Sequence, residues 1–177
     1  AEIAEGVTAS LAITNRQASW SAADTDVKSV QGRLNGTAWF VQDARKVDRL
    51  LVSAQTSTGL ALYWVATDAT GVTVVPDAIV DLTRDQAHVS FDNVPALELT
   101  ASGLAALQQA MPAIWTLVAA DITGAAEWQL QTTVAYVGTR QQFDHSLGYF
   151  QAVKHPLVDV MILIDQCKSL VYNAACA

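Results

Sequence analysis

The sequence predicts an α+β chain: an antiparallel β-barrel or sandwich over residues 1–100, then two long antiparallel helices over residues 101–177. Three observations carry this. Short β-leaning runs alternate with Gly, Asn and Asp turn residues in the first part of the chain. After Ala101 the apolar period becomes that of a helix. At 51% hydrophobic and 15% charged residues, a chain of 177 residues can bury a core.

The candidate strands are Leu11 to Thr14, Val27 to Leu34, Trp39 to Val41, Leu50 to Ala54, Leu60 to Val65, Val72 to Val75 and His88 to Phe91. The run Leu60 to Val65 is apolar on both faces, as a strand covered on two sides is. Asn35-Gly36 and Asp92-Asn93 supply turn chemistry. From about Ala113 to Thr139, Ile114, Leu117, Val118, Ile122 and Ala125 share one helical face. Gly148 breaks the pattern. The second helix then carries Val153, Leu157, Val160, Met161, Ile164, Cys167 and Val171, with Pro156 expected in its first turn. Ile162, Leu163 and Leu170 make it apolar around most of its circumference, so a helix pair alone leaves surface to be covered.

A net charge of -7 with no basic cluster argues against nucleic-acid binding. No membrane span is expected: the longest apolar candidate, Val158 to Leu170, is interrupted by Asp159, Asp165, Gln166 and Lys168. There is no secretory pattern, and Cys167 and Cys176 point to opposite faces of one helix, so free thiols in the cytoplasm are expected. His88, His145 and His155 show no metal-ligand spacing, and solvated or structural roles are expected for them.

The segment Tyr136-Val-Gly-Thr-Arg140-Gln-Gln-Phe143-Asp-His-Ser-Leu-Gly148-Tyr-Phe150-Gln151, followed by His155 and Asp159, resembles the signature of acyl-CoA dehydrogenases. Gly124-Ala-Ala-Glu127 resembles the run in the helix leading into it. Gly32 to Ala44 resembles the family's glycine-turn hairpin, and Val89 to Pro95 its strand leading out of the β-domain. The resemblance implies a middle β-domain over 1–100 and the start of the C-terminal helical domain over 101–177, its two helices being half of a four-helix bundle.

It also implies FAD as cofactor, an acyl-CoA substrate, an electron-transfer flavoprotein as acceptor, and a homo- or hetero-oligomer. Arg140 would neutralise a pyrophosphate, Phe143 would offer a face to adenine, and Gln151 would hydrogen-bond the dinucleotide, all for the FAD of an adjacent subunit. Thr14 matches a threonine that hydrogen-bonds the isoalloxazine. Phe40 sits where a tryptophan usually lies beside the flavin.

Four departures stand against this. The glycine after Arg-x-x-Phe is Asp144. The loop usually reading Thr-Glu-Pro-x-x-Gly-Ser-Asp is Thr14-Asn15-Arg16-Gln17-Ala18-Ser19-Trp20-Ser21. Trp115 replaces a frequent arginine, and Ile114 stands where some members carry the catalytic glutamate. No catalytic residue is therefore assigned. The parent would be an acyl-CoA dehydrogenase and this portion inactive by itself; the alternative is a degenerate subunit completing a partner's flavin site.

Overall fold

The computed structural model describes residues 2–19, 21 and 23–177, and the chain divides into two compact units, Ala1–Gln109 and Ala110–Ala177. Among the described residues the first unit holds eight strands: β1 (Ala9–Ala12), β2 (Val27–Val30), β3 (Arg33–Gln42), β4 (Arg49–Thr56), β5 (Gly59–Ala66), β6 (Val72–Pro76), β7 (Gln86–Pro95) and β8 (Leu97–Thr100). They form one sheet in the order β6-β7-β3-β2-β4-β5-β8, with β1 beside β4. The α+β class is as the sequence predicts, but the sheet is mixed. β1 runs parallel to β4, and β2 meets β4 in parallel through Lys28 and Gln55.

The turn between β2 and β3 is not where the sequence places it. Gln31 and Gly32 both have positive φ (52° and 74°), as the two central residues of a hairpin turn of type I′ require. The expected single strand Val27 to Leu34 is thereby split. Asn35-Gly36 lies inside β3 instead. Gly36 has φ 123°, and a Cβ there would sit 2.3 Å from the Asp26 carbonyl oxygen. Glycine is used at this position for close backbone approach rather than for reversal. Asp92-Asn93 is likewise within β7, where the register against β3 shifts and the Asn93 N–H donates to Asn35 Oδ1 (2.9 Å). β8 was not anticipated.

The main core joins Val27, Leu34, Val41, Leu50, Val52, Val65, Val89 and Val94, all nearly free of solvent contact, with the Tyr63 ring. Tyr63 also spans to the surface, its hydroxyl donating to Glu98 (3.1 Å). Alternation explains why β5 is apolar on both faces. Ala61, Tyr63 and Val65 enter the main core, whereas Leu60 and Leu62 pack against Leu107 with Leu51 and Ile13. Burying a Leu or Val side chain in these cores contributes about 1.5–3 kcal/mol.

Leu107 belongs to the helix α1 (Gly103–Thr139), which begins well before the expected Ala113. Gly103 and Pro112 hide its first turns from sequence rules, although Leu104, Leu107 and Met111 keep helical spacing. Pro112 leaves the Gln108 carbonyl without its usual helical donor. By length and composition α1 is apolar enough to cross a membrane. No unbroken apolar run marks it in the sequence, because Asp121, Glu127 and uncharged Thr and Gln are interspersed with Ala, Leu and Val.

In the second unit, α1 continues and is followed by a two-strand ribbon, β9 (Gln141–Gln142) and β10 (His145–Ser146), and by α2 (Gln151–Cys176). The helices run antiparallel: Lys168 pairs with Glu127 at 2.5 Å, one groove joins Leu130 and Val137 to Leu157 and Met161, and another joins Trp115 and Ile122 to Leu170 and Val171. On α2 the predicted stripe is covered in part: Ile164 is buried and Val153, Leu157 and Val171 are half-buried, whereas Val160, Met161 and Cys167 stay exposed. On α1 it is mostly exposed. Leu117 and Ile122 stay 72% and 62% exposed, and the partly covered seam runs Thr116, Thr123, Glu127, Leu130 and Val137. The threonines join the seam by returning their hydroxyls to their own helix, Thr116 to Pro112 (2.8 Å) and Thr123 to Ala119 (2.7 Å). Pro156 is in the second turn of α2, not the first.

Candidate functional site

The connection between α1 and α2 is tightly built. The Arg140 N–H donates to the Tyr136 carbonyl (2.9 Å), and the Arg140 carbonyl accepts from the Leu147 N–H (2.8 Å). Between them Gln141 pairs with Ser146 and Gln142 with His145, leaving Phe143-Asp144 as a two-residue turn. Both turn residues have positive φ, 53° and 61°, the type I′ geometry again. Asp is among the residues that tolerate this conformation; a bulky Phe rarely adopts it. Gly148 closes the connection over the end of α1, where an added Cβ would lie 3.4 Å from the Val137 carbonyl oxygen.

This geometry brings Arg140, Phe143 and Gln151 into one short segment. Phe143 is 84% exposed and meets Phe150 edge-on at 6.2 Å. His145 stacks on Tyr149 with ring centroids 4.1 Å apart. Gln151, exposed, opens α2 immediately after Phe150. The Arg140 guanidinium is exposed and has no ion-pair partner among the described residues. A planar cation and a largely exposed aromatic ring in one short connection suit an anionic, ring-bearing ligand. Asp144 puts a carboxylate at the same tip.

Thr14 and Phe40 form a separate cluster in the first unit. The register between β3 and β7 slips between Ala38 and Val41, and at this bulge Phe40 has φ 55° and is 38% exposed. Bulges redirect side chains in this way beside functional sites. The Trp39 N–H donates to the Thr14 carbonyl (2.9 Å), which ties the half-buried Thr14 to the bulge. The loop after Thr14 is fixed by the buried Asn15, whose Oδ1 accepts from the Ser19 N–H (2.9 Å), and by Asp26, which accepts from the Arg16 N–H (2.8 Å). Trp20 lies outside the described residues.

Sequence reasoning missed the surroundings of this cluster. The Arg16 guanidinium lies 5.4 Å from the Trp39 ring centroid, and His88 stacks on the same indole at 5.1 Å. His88 Nδ1 is 2.9 Å from Asp77 Oδ1. These four residues come from distant parts of the chain, and no local spacing announces them. Of the departures on α1, Ile114 is half-buried and Trp115 is 53% exposed.

Residues 101–177 match the family described as acyl-CoA dehydrogenase, C-terminal domain. The probable acyl-CoA dehydrogenase FadE25 of Mycobacterium tuberculosis is 27% identical over 192 residues, covering 97% of this chain and 48% of its own length. Butyryl-CoA dehydrogenase from Megasphaera elsdenii superposes with a TM-score of 0.83 at 24% identity, over 95% of this chain and 48% of that one. PigA, solved with FAD and proline, has a TM-score of 0.80 at 22% identity, over 93% of this chain and 47% of its own. The chain belongs to the acyl-CoA dehydrogenase family. It spans about half the length of the curated relatives it matches.

Proposed function

We propose that residues 1–100 are the middle β-domain, and 101–177 the opening of the C-terminal helical domain, of an FAD-dependent acyl-CoA dehydrogenase. The observation that carries this is the Arg140–Gln151 connection, which presents a guanidinium with no ion-pair partner among the described residues and, at the tip of its ribbon, a largely exposed Phe143 ring.

Bound FAD supplies the hydride acceptor for α,β-dehydrogenation of an acyl-CoA thioester. The chain's own residues bind and orient. Arg140 neutralises pyrophosphate, Phe143 covers the adenine, and Gln151 hydrogen-bonds the dinucleotide of an adjacent subunit. In the β-domain the Thr14 hydroxyl, with no partner among the described residues, would hydrogen-bond the isoalloxazine of bound FAD, and Phe40 would pack beside it. The α-proton must be removed by a carboxylate outside this chain, so the portion alone does not turn over. An electron-transfer flavoprotein is the proposed acceptor. The two free thiols, Cys167 and Cys176, suit the cytoplasm.

A second reading is a degenerate subunit that completes a partner's flavin site without doing chemistry. Ile114 and Trp115, at positions where some relatives carry a carboxylate and an arginine, favour it. Arg140→Ala in the full-length protein tests the shared premise. Loss of a charge-assisted contact of about 1.5–3 kcal/mol weakens FAD binding roughly 10- to 100-fold. Unchanged FAD affinity would remove the site. Flavin in the protein expressed alone supports the first reading; flavin only on co-expression with a paralogous subunit supports the second.

A further inference from the structure

Phe40 stands in a left-handed conformation that a bulky L-residue seldom adopts (φ 55°), so something must hold it there. The strand itself does not: the extra residue between Ala38 and Val41 has no partner on β7. The neighbouring side chain supplies the hold. Trp39 is anchored through its backbone to the Thr14 carbonyl at 2.9 Å, and its indole carries Arg16 at 5.4 Å and His88 at 5.1 Å, the His88 ring inclined by 27°.

His88 is in turn fixed by Asp77, 2.9 Å away, just after β6. Asp77 Oδ2 is buried with no hydrogen-bond partner, so His88 is the polar contact that compensates this carboxylate among the described residues. The Asp77 N–H also donates to the Gln86 carbonyl (2.9 Å), tying the carboxylate's backbone to the start of β7. Contacts from the Thr14 loop and β7 therefore converge on Trp39, with Asp77 behind His88.

We propose that Trp39, steadied by His88 and Asp77, is the positioning residue for the Thr14–Phe40 edge, and so sets how that edge meets the flavin ring. The inference rests on the flavin reading above. Without the indole, the bulge is free to relax toward regular pairing. Because strand side chains alternate, such a slip turns Phe40 to the other face and releases Thr14. Trp39 acts through these two residues and need not touch the ligand.

The test uses Trp39→Ala, Trp39→Phe and Asp77→Asn in the full-length protein, with three measurements: FAD affinity, the visible flavin spectrum, and hydrogen exchange of the segment 36–44. Trp39→Ala should weaken FAD binding at least about tenfold, shift the flavin absorption envelope and speed exchange in that segment. Trp39→Phe, which keeps an aromatic ring, should restore most of each. Asp77→Asn should move all three in the same direction by less. A Trp39→Ala protein with wild-type flavin affinity and spectrum overturns the proposal, whatever its melting temperature. So does faster exchange with no change at the flavin, which marks a merely structural tryptophan. If the wild-type protein takes up no FAD, alone or with a paralogous subunit, the flavin reading fails and the proposal falls with it. The exchange data then still report the bulge independently.

Discussion

Phe143 and Asp144 are consecutive left-handed residues, φ 53° and 61°, at the tip of the ribbon that joins the two helices. A left-handed backbone of this kind is the one glycine adopts most readily. Asp144 satisfies the conformation at the cost of a carboxylate beside a proposed anion site. Asp144→Gly should keep the turn, change stability by less than about 1 kcal/mol, and raise FAD affinity several-fold, most at low salt. Titration at two ionic strengths checks this; equal affinity at both would place the carboxylate away from the ligand.

Gly36 cannot carry a side chain. At φ 123°, with the Asp26 oxygen 2.3 Å from a built Cβ, Gly36→Ala combines strain with a backbone clash. Its expected cost is about 2–3 kcal/mol. Thermal melts should show a drop of roughly 5–10 °C, and an unchanged melt would mean that β2 and β3 can separate freely.

Asp85 is nearly buried, and Arg45 donates to it at 2.6 Å. The Arg45 guanidinium holds the Asp85 carboxyl below the usual carboxylate range. Its stabilising contribution is therefore present above the unfolded carboxylate's value and is lost as pH falls through the lower folded value. Arg45→Ala should be less stable than wild type at neutral pH, and the two denaturation curves should converge in acid. A stability difference independent of pH would show that the pair is not the cause.

The grooves between α1 and α2 are apolar, one of about 670 Å³ lined by Trp115, Ile122, Leu170 and Val171 among others. Leu163 and Leu170 are 59% and 67% exposed. The chain by itself should self-associate at micromolar concentration in analytical ultracentrifugation, and Leu117→Gln with Leu170→Gln should reduce it. A stably folded monomer at every concentration would contradict this.

Much of the fold is legible where local and tertiary demands agree. Leu60 to Val65 reads as a doubly covered strand and is one, with Leu107 on one face and the main core on the other. Asn35-Gly36 misleads because it is a strong turn signal, yet here the glycine serves a close approach. The α1 stripe misleads because threonines that bond their own helix behave as seam residues. Arg140, Phe143 and Gln151 are legible because they fall in one local segment. Trp39, His88 and Asp77 are not, because only the folded sheet brings them together.

The flavin-dependent dehydrogenase assignment is tested by the visible spectrum of the full-length protein under anaerobic conditions, alone and with a panel of acyl-CoA thioesters. A flavin band that bleaches on adding one thioester is the predicted result. A protein that binds no flavin, either alone or with a paralogous subunit, would contradict the account.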